Sequence, residues 1–126
     1  SSKLIHFSFD SKIESQKVML NQSLYNWTIE NLVKNGIDAM KGRGSIGIQI
    51  VSDGSYINIL VSDTGHGIAK SDYKAIFNPG VTSKKRGWGL GLSLVKRIVE
   101  EYHQGKIKVL TSSKEGTIMQ ISFKAN

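Results

Sequence analysis

The 126-residue chain contains no cysteine and a single proline, and its 17 Lys and Arg face only 10 Asp and Glu. Without cysteine there can be no disulfide and no thiolate metal site, and a reducing compartment is permitted. No run of about 18 apolar residues occurs, and the opening SSKLIHFSFD lacks a signal-peptide pattern. No membrane contact is expected of this segment. The net charge of +7 suits phosphate-bearing ligands and acidic proteins as well as nucleic acid. The cations are scattered, however, with KKR at 84–86 as the one tight cluster. Zinc-finger, basic-zipper and RNA-recognition signatures are missing, so no nucleic-acid partner is expected.

What is present fits one domain over residues 1–126, large enough to bury roughly two-thirds of its unfolded-chain surface. KLIHFSF (3–9) alternates like a half-buried strand, with KVML (17–20) as a candidate hairpin partner. Asn21 or Ser23 can cap a long helix that runs to about Met40 and closes at KGRGS (41–45). IGIQIV (46–51) and YINILVSD (56–63) flank an Asp-Gly pair, the strongest hairpin signal in the chain. SDYKAIF (71–77) reads as a short helical stretch ending before Asn78-Pro79. A further helix follows the glycine segment, and KIKVLTS with GTIMQISF forms a closing hairpin. Hairpins alternating with helices predict an α+β two-layer sandwich with a mixed, mostly antiparallel sheet and about three helices on one face. Parallel βαβ units are not favoured.

The segment KKRGWGLGLSLVKRIVEEYHQG (84–105) places Gly87, Gly89 and Gly91 after three cations and at the mouth of a helix. Val95, Ile98, Val99 and Tyr102 follow i, i+3, i+4, i+7, and Gly105 can serve as the residue after the C-cap. Glycines there let a ligand approach the backbone, and the free N–H groups of a helix start favour anions. The segment suits phosphates, although it is neither a dinucleotide fingerprint nor a P-loop. A flexible loop ahead of a helix is the competing reading.

On the first long helix, Ile29, Leu32, Val33, Gly36, Ile37, Ala39 and Met40 make an apolar arc, while Glu30, Lys34 and Lys41 make a charged one. Thr28, Asn31, Asn35 and Asp38 form a third, polar arc. Two asparagines one turn apart are costly in a helix, and their amide oxygens can coordinate Mg²⁺ if the arc faces a cleft. An exposed polar face would look the same. In SDTGHGI (62–68), Asp63 ends a strand, and Gly65 and Gly67 allow a tight turn with bare backbone. Such a carboxylate can accept the exocyclic N–H of a purine, or simply cap the turn. His66 reads as an exposed turn residue; His6 and His103 have no metal-like spacing.

In order, ENLVKNGIDAM (30–40), DTGHGI (63–68), IFNPGVTSKK (76–85), RGWGLGLSLVKRIVE (86–100) and EGTIMQI (115–121) resemble the successive boxes of histidine-kinase ATP-binding domains. The resemblance implies the Bergerat α/β sandwich, binding ATP between the sheet and a lid. It implies that Asp63 binds the adenine amino group with help from Thr117, and that Gly65, Gly67 and Ile68 line the base pocket. Asn35 would hold Mg²⁺, with Asn31 beside it. Phe77, Thr82, Ser83 and Lys84 would belong to the lid. Gly87, Trp88, Gly89, Leu90, Gly91 and Leu92 would belong to the phosphate segment. Asn31, Asn35 and Lys84 would be the groups nearest the chemistry. Trp88 stands where a small residue is common, Gly36 replaces a frequent Ala, Asp38 sits where many relatives are basic, and the lid is short.

The superfamily's hydrolases carry a Glu four residues before the Mg²⁺-binding Asn, where this chain has Asn31, so kinase chemistry is preferred. None of IHF, GHG or YHQ gives the context of a phosphoacceptor histidine. The resemblance therefore implies a catalytic fragment that phosphorylates a histidine on a helical-hairpin domain of the same or a sister subunit. It further implies a downstream response regulator, a homodimeric full-length protein and a bacterial, cytoplasmic location. An ATP-hydrolysing or serine-directed relative and a non-catalytic nucleotide-binding module are the alternatives.

Overall fold

The computed structural model describes residues 4–11, 22–79 and 89–125, the side chains of Leu4, Gly89 and Leu90 excepted. Strand β1 (Leu4–Ser11) precedes helix α1 (Gln22–Met40), and β2 (Arg43–Ser52) and β3 (Tyr56–Asp63) follow it. Two single 3₁₀ turns, Lys70–Asp72 and Ala75–Phe77, stand in place of the short helix expected at 71–77. The second ends with the Asn78 N–H donating to the Ala75 carbonyl at 2.9 Å. Asn78 is itself extended, as a residue before proline prefers. Helix α2 (Gly89–Arg97) continues as a π-helical turn, Ile98–Tyr102, before β4 (Lys106–Ser113) and β5 (Gly116–Lys124).

The five strands lie in the order β1-β2-β3-β5-β4. All neighbours are antiparallel except β1 and β2, which run parallel with Phe7 opposite Ile46. The expected mixed, mostly antiparallel sheet is thus observed, but β1, α1 and β2 make a parallel crossover that the sequence disfavoured. The candidate partner strand at 17–20 lies outside the described residues.

The β2–β3 hairpin is held at its tip by Asp53, whose carboxylate accepts the N–H groups of Ser55 at 3.0 Å and Tyr56 at 2.7 Å. Along β5 burial alternates strictly, so Thr117, Met119, Ile121 and Phe123 point inward. Met119, Ile121 and Phe123 meet Ile59 and Val61 of β3, Leu32 of α1, Leu92 and Val95 of α2, and Val99 of the π turn in one core. Each such buried apolar side chain contributes roughly 1.5–3 kcal/mol. Both helices pack on this face, and the intervening strand residues Asn58, Ser62, Gln120 and Ser122 stay on the other.

Three local details depart from the periodicity. Thr28 joins Leu32, Gly36 and Met40 as a buried stripe instead of sharing a polar arc with the asparagines. A ridge at i+4 spacing winds slowly around the helix, so its first member falls on another sector of an averaged wheel. The π turn adds a residue to α2 and carries Tyr102 away from the core, leaving it 73% exposed. His103 packs there instead, edge-on to Phe123 at 5.7 Å. The left-handed residue after this helix is Gln104 (φ 56), not Gly105. Gly105 donates its N–H to the Val99 carbonyl at 2.8 Å. A Cβ on Gly105 would meet the Ser122 carbonyl oxygen at 2.5 Å, which accounts for glycine there.

Candidate functional site

A cavity of about 480 Å³ opens between α1, the start of α2, the 3₁₀ turns and the ends of β3 and β5. Its size lies in the range of small-molecule sites. Leu32, Val61, Ile68, Ile76, Leu92 and Met119 form apolar walls, and Asn35, Asp38, Asp63, His66, Asp72 and Thr117 supply polar groups.

Asp63 is the last residue of β3 and lies directly opposite Thr117 of β5. Its Oδ1 accepts the Gly65 N–H at 2.8 Å. Burial pushes its carboxyl above the ordinary carboxylate value, against the opposing pull of the Gly65 and Thr117 backbone N–H groups and of His66. The group is therefore an acceptor with part of its hydration removed and capacity left for a ligand donor. Helix α1 crosses immediately above. A Cβ on Gly36 would stand 2.8 Å from Ile46 Cδ1 and 3.3 Å from Asp63 Oδ2, so glycine lets the helix sit this close.

The loop after β3 is clamped at both ends. Gly65 lies flat on α1, where a Cβ would meet Ala39 Cβ at 2.7 Å. Gly67 adopts φ 89 and has its Cα against the Ser113 carbonyl, so both dihedral and space require glycine. The Ile68 N–H donates to Ser112 Oγ at 2.7 Å, and Ser112 Oγ lies 2.7 Å from Thr117 Oγ1. His66 is exposed at the rim, its Nδ1 2.8 Å from the Gly67 carbonyl. That partner assigns the proton to Nδ1.

Of the residues singled out in the sequence, Asn35, Asp63, Gly67, Ile68, Leu92 and Thr117 line this cavity together. Asn31 is not among the lining residues, because its Nδ2 donates to the Trp27 carbonyl one turn back at 2.8 Å. Gly65 serves the loop-to-helix contact just described. Phe77 is buried in the core and borders a separate groove with Pro79 and Leu94. Gly91 lies in α2 outside the lining, and Gly89 and Leu90 open that helix. Thr82, Ser83, Lys84, Gly87 and Trp88 lie outside the described residues. Asp72, Ile76, Ala69 and Met119 were not anticipated. The alternation of β5 already marked Met119 as inward-facing, whereas Asp72 carries no sequence signal.

Among the described residues no group of three His, Cys, Asp or Glu could hold a metal. The Asn35 amide and Asp38 carboxylate on one wall offer oxygen donors only, which fits a hard cation that takes its remaining ligands from water or a phosphate ester.

An α/β sandwich whose cavity combines apolar walls with a partly desolvated carboxylate and a few further polar groups defines a domain with a small-molecule site. The family of histidine kinase-, DNA gyrase B- and HSP90-like ATPases matches residues 22–126, and the chain belongs to it. It is 38% identical over 93 residues to sporulation kinase A of Bacillus subtilis (strain 168), covering 74% of this chain and 15% of that one. To the sensor histidine kinase ZraS of Escherichia coli (strain K12) it is 31% identical over 126 residues, covering 100% of this chain and 27% of that one. The catalytic domain of histidine kinase ThkA superposes with a TM-score of 0.85 at 29% identity, over 95% of this chain and 78% of that one. ThkA has also been solved in complex with the response regulator protein TrrA. Within the family the chain is thus of the histidine-kinase type, an ATP-binding catalytic domain. It spans about a fifth of the length of curated relatives that it matches. Among the described residues no helix is long and apolar enough to cross a membrane.

Proposed function

We propose that this domain binds Mg-ATP and donates the γ-phosphoryl group to a histidine on a separate dimerisation domain of a two-component sensor kinase. The observation that carries the proposal is the convergence of Asn35, Asp63, Thr117 and Leu92, from four elements, on one cavity.

The adenine lies between the apolar walls with its amino group donating to Asp63, and Thr117 stands beside it. Gly67 and Ile68 present bare backbone to the ring. The triphosphate extends towards Asn35 and the first turn of α2, whose unpaired N–H groups and dipole favour anions. Bound Mg²⁺ supplies neutralisation of phosphate charge, with Asn35 as its protein ligand. Lys84, Gly87 and Trp88 precede α2 in the chain and complete the phosphate end in this reading.

Transfer breaks the bond between the γ-phosphorus and the β,γ-bridging oxygen, whose electron pair leaves with ADP, and forms a bond to an imidazole nitrogen. That nitrogen already has a lone pair, so no strong base is needed, and the domain contributes position and charge neutralisation. Attack by water would need a base. Position 31 holds an amide committed to the Trp27 carbonyl, and Glu30 is exposed on another side of α1. Both features support transfer over hydrolysis. A response regulator as the downstream partner, a homodimeric full-length protein and a cytoplasmic location belong to the same proposal.

The test mixes the purified domain and γ-labelled ATP with a candidate helical-hairpin domain. Label should appear on the hairpin as an acid-labile phosphoramidate. Free phosphate without labelled protein would favour the hydrolase reading, and acid-stable label the serine-directed one.

A further inference from the structure

Ser112, near the end of β4, touches both the loop after β3 and Thr117. Its Oγ accepts the Ile68 N–H at 2.7 Å and stands 2.7 Å from Thr117 Oγ1, while its carbonyl lies 3.5 Å from the Tyr73 hydroxyl. Thr117 is 4% exposed and lines the cavity.

A hydroxyl has one proton and two lone pairs. The Ile68 N–H can only donate, so it occupies a lone pair of Ser112. Two arrangements of the Ser112–Thr117 contact follow. If Thr117 donates, no hydrogen bond among the described residues uses the Ser112 proton, which is left to solvent at half-buried Ser112, and Thr117 offers the cavity only a lone pair. If Ser112 donates, its proton is satisfied and Thr117 keeps its own for the cavity.

We propose that Ser112 is a positioning residue for purine selection, donating to Thr117 so that the Thr117 hydroxyl presents its proton to the cavity beside the Asp63 carboxylate. This rests on the ATP-binding reading given above and adds to it the residue that orients the selecting group. Asp63 and Thr117 face each other across β3 and β5, and directly opposed side chains have Cβ atoms about 5 Å apart. An acceptor and a donor therefore stand side by side. A 6-aminopurine offers the complement, an exocyclic N–H next to the N1 lone pair. A 6-oxopurine offers the reverse, a carbonyl oxygen towards Asp63 and an N1–H towards the Thr117 proton. A Thr117 hydroxyl released from Ser112 can turn to accept that N1–H, and discrimination falls.

The experiment measures ATP and ITP dissociation constants by calorimetry for the wild-type domain, Ser112→Ala, Ser112→Thr, Thr117→Val and the Ser112→Ala/Thr117→Val double variant. The preference for ATP should fall about tenfold in Ser112→Ala, the worth of one oriented hydrogen bond. It should be retained in Ser112→Thr, and Ser112→Ala should remove no further selectivity once Thr117 is Val. A purely structural role would instead weaken both nucleotides equally and act independently of Thr117. An unchanged ATP-to-ITP ratio in Ser112→Ala, or an effect as large in the Thr117→Val background, overturns the proposal. If Ser112→Ala does not fold, Ser112→Cys carries the test: its weakly donating thiol should reduce the ratio, and an unmoved ratio overturns the proposal. A wild-type domain without ATP affinity overturns the ATP-binding reading itself, whereas normal affinity with an unmoved ratio overturns only the role of Ser112.

Discussion

Replacing Asp63 with Asn should separate affinity from stability. The carboxylate accepts the Gly65 N–H at 2.8 Å and a second backbone N–H from Thr117, and in the proposed complex it also accepts the adenine amino group. An amide keeps one acceptor oxygen and turns the other position into a donor, which faces either a backbone N–H or the adenine N–H. Losing a hydrogen bond to a charged group costs roughly 1.5–3 kcal/mol, so ATP affinity should drop roughly ten- to a hundredfold. Stability should behave differently. Burial already makes the charged carboxylate unfavourable, and a neutral amide removes that penalty while losing one accepted bond. The two effects oppose each other, and the unfolding free energy at neutral pH should change by less than about 1 kcal/mol. The sign can be followed with pH. A carboxyl raised above its unfolded value favours the fold most when protonated, and that contribution fades as pH rises through the folded pKa. Any stability advantage of Asp63→Asn over wild type should therefore appear above that pKa and vanish in acid. Calorimetric titration with ATP and urea denaturation of both proteins are the assays. Affinity within threefold of wild type, or a loss of stability matching the loss of affinity, would refute the assignment of Asp63.

Asn35→Ala should remove the Mg²⁺-dependent part of ATP affinity, so titrations with Mg²⁺ and with EDTA should converge. Wild-type ATP affinity should fall as pH is lowered through the Asp63 pKa, beginning above the ordinary carboxylate range because burial raises it, and Asp63→Asn should lack this component. Gly67→Ala should cost roughly 1–3 kcal/mol in denaturant titration, since φ 89 and the Ser113 carbonyl both oppose a side chain. Phe123→Ala, at 2% exposure and packed against Tyr25 and His103, should cost about 3–5 kcal/mol and lower the thermal midpoint without altering nucleotide selectivity.

Reading the chain by pattern works where a local rule meets no competitor. Asp53-Gly54 announces the β2–β3 hairpin because a short polar residue can accept the turn's own N–H groups, as Asp53 does. The alternation of β5 sorts Thr117 and Met119 from Ile118 and Gln120 because a strand has only two faces. The pattern fails where an element's neighbours decide. Thr28 is apolar in effect because it continues the i+4 ridge against the core. The π turn, which exchanges Tyr102 for His103 against Phe123, has no periodic signature at all.

The residue order alone was enough to announce the two helices, the β2–β3 and β4–β5 hairpins and the run of boxes that resembles histidine-kinase ATP-binding domains. Local dihedral preference and the spacing of apolar side chains carry that information within a few turns of chain. Which of the marked polar residues share a cavity was decided by long-range packing. Strand order sets Asp63 beside Thr117, the bare surface of Gly36 brings α1 down onto Asp63 and Ile46, and the Ser112 hydroxyl ties the loop after β3 to β4. Those contacts join segments far apart in the chain, and only burial of the common core brings them together.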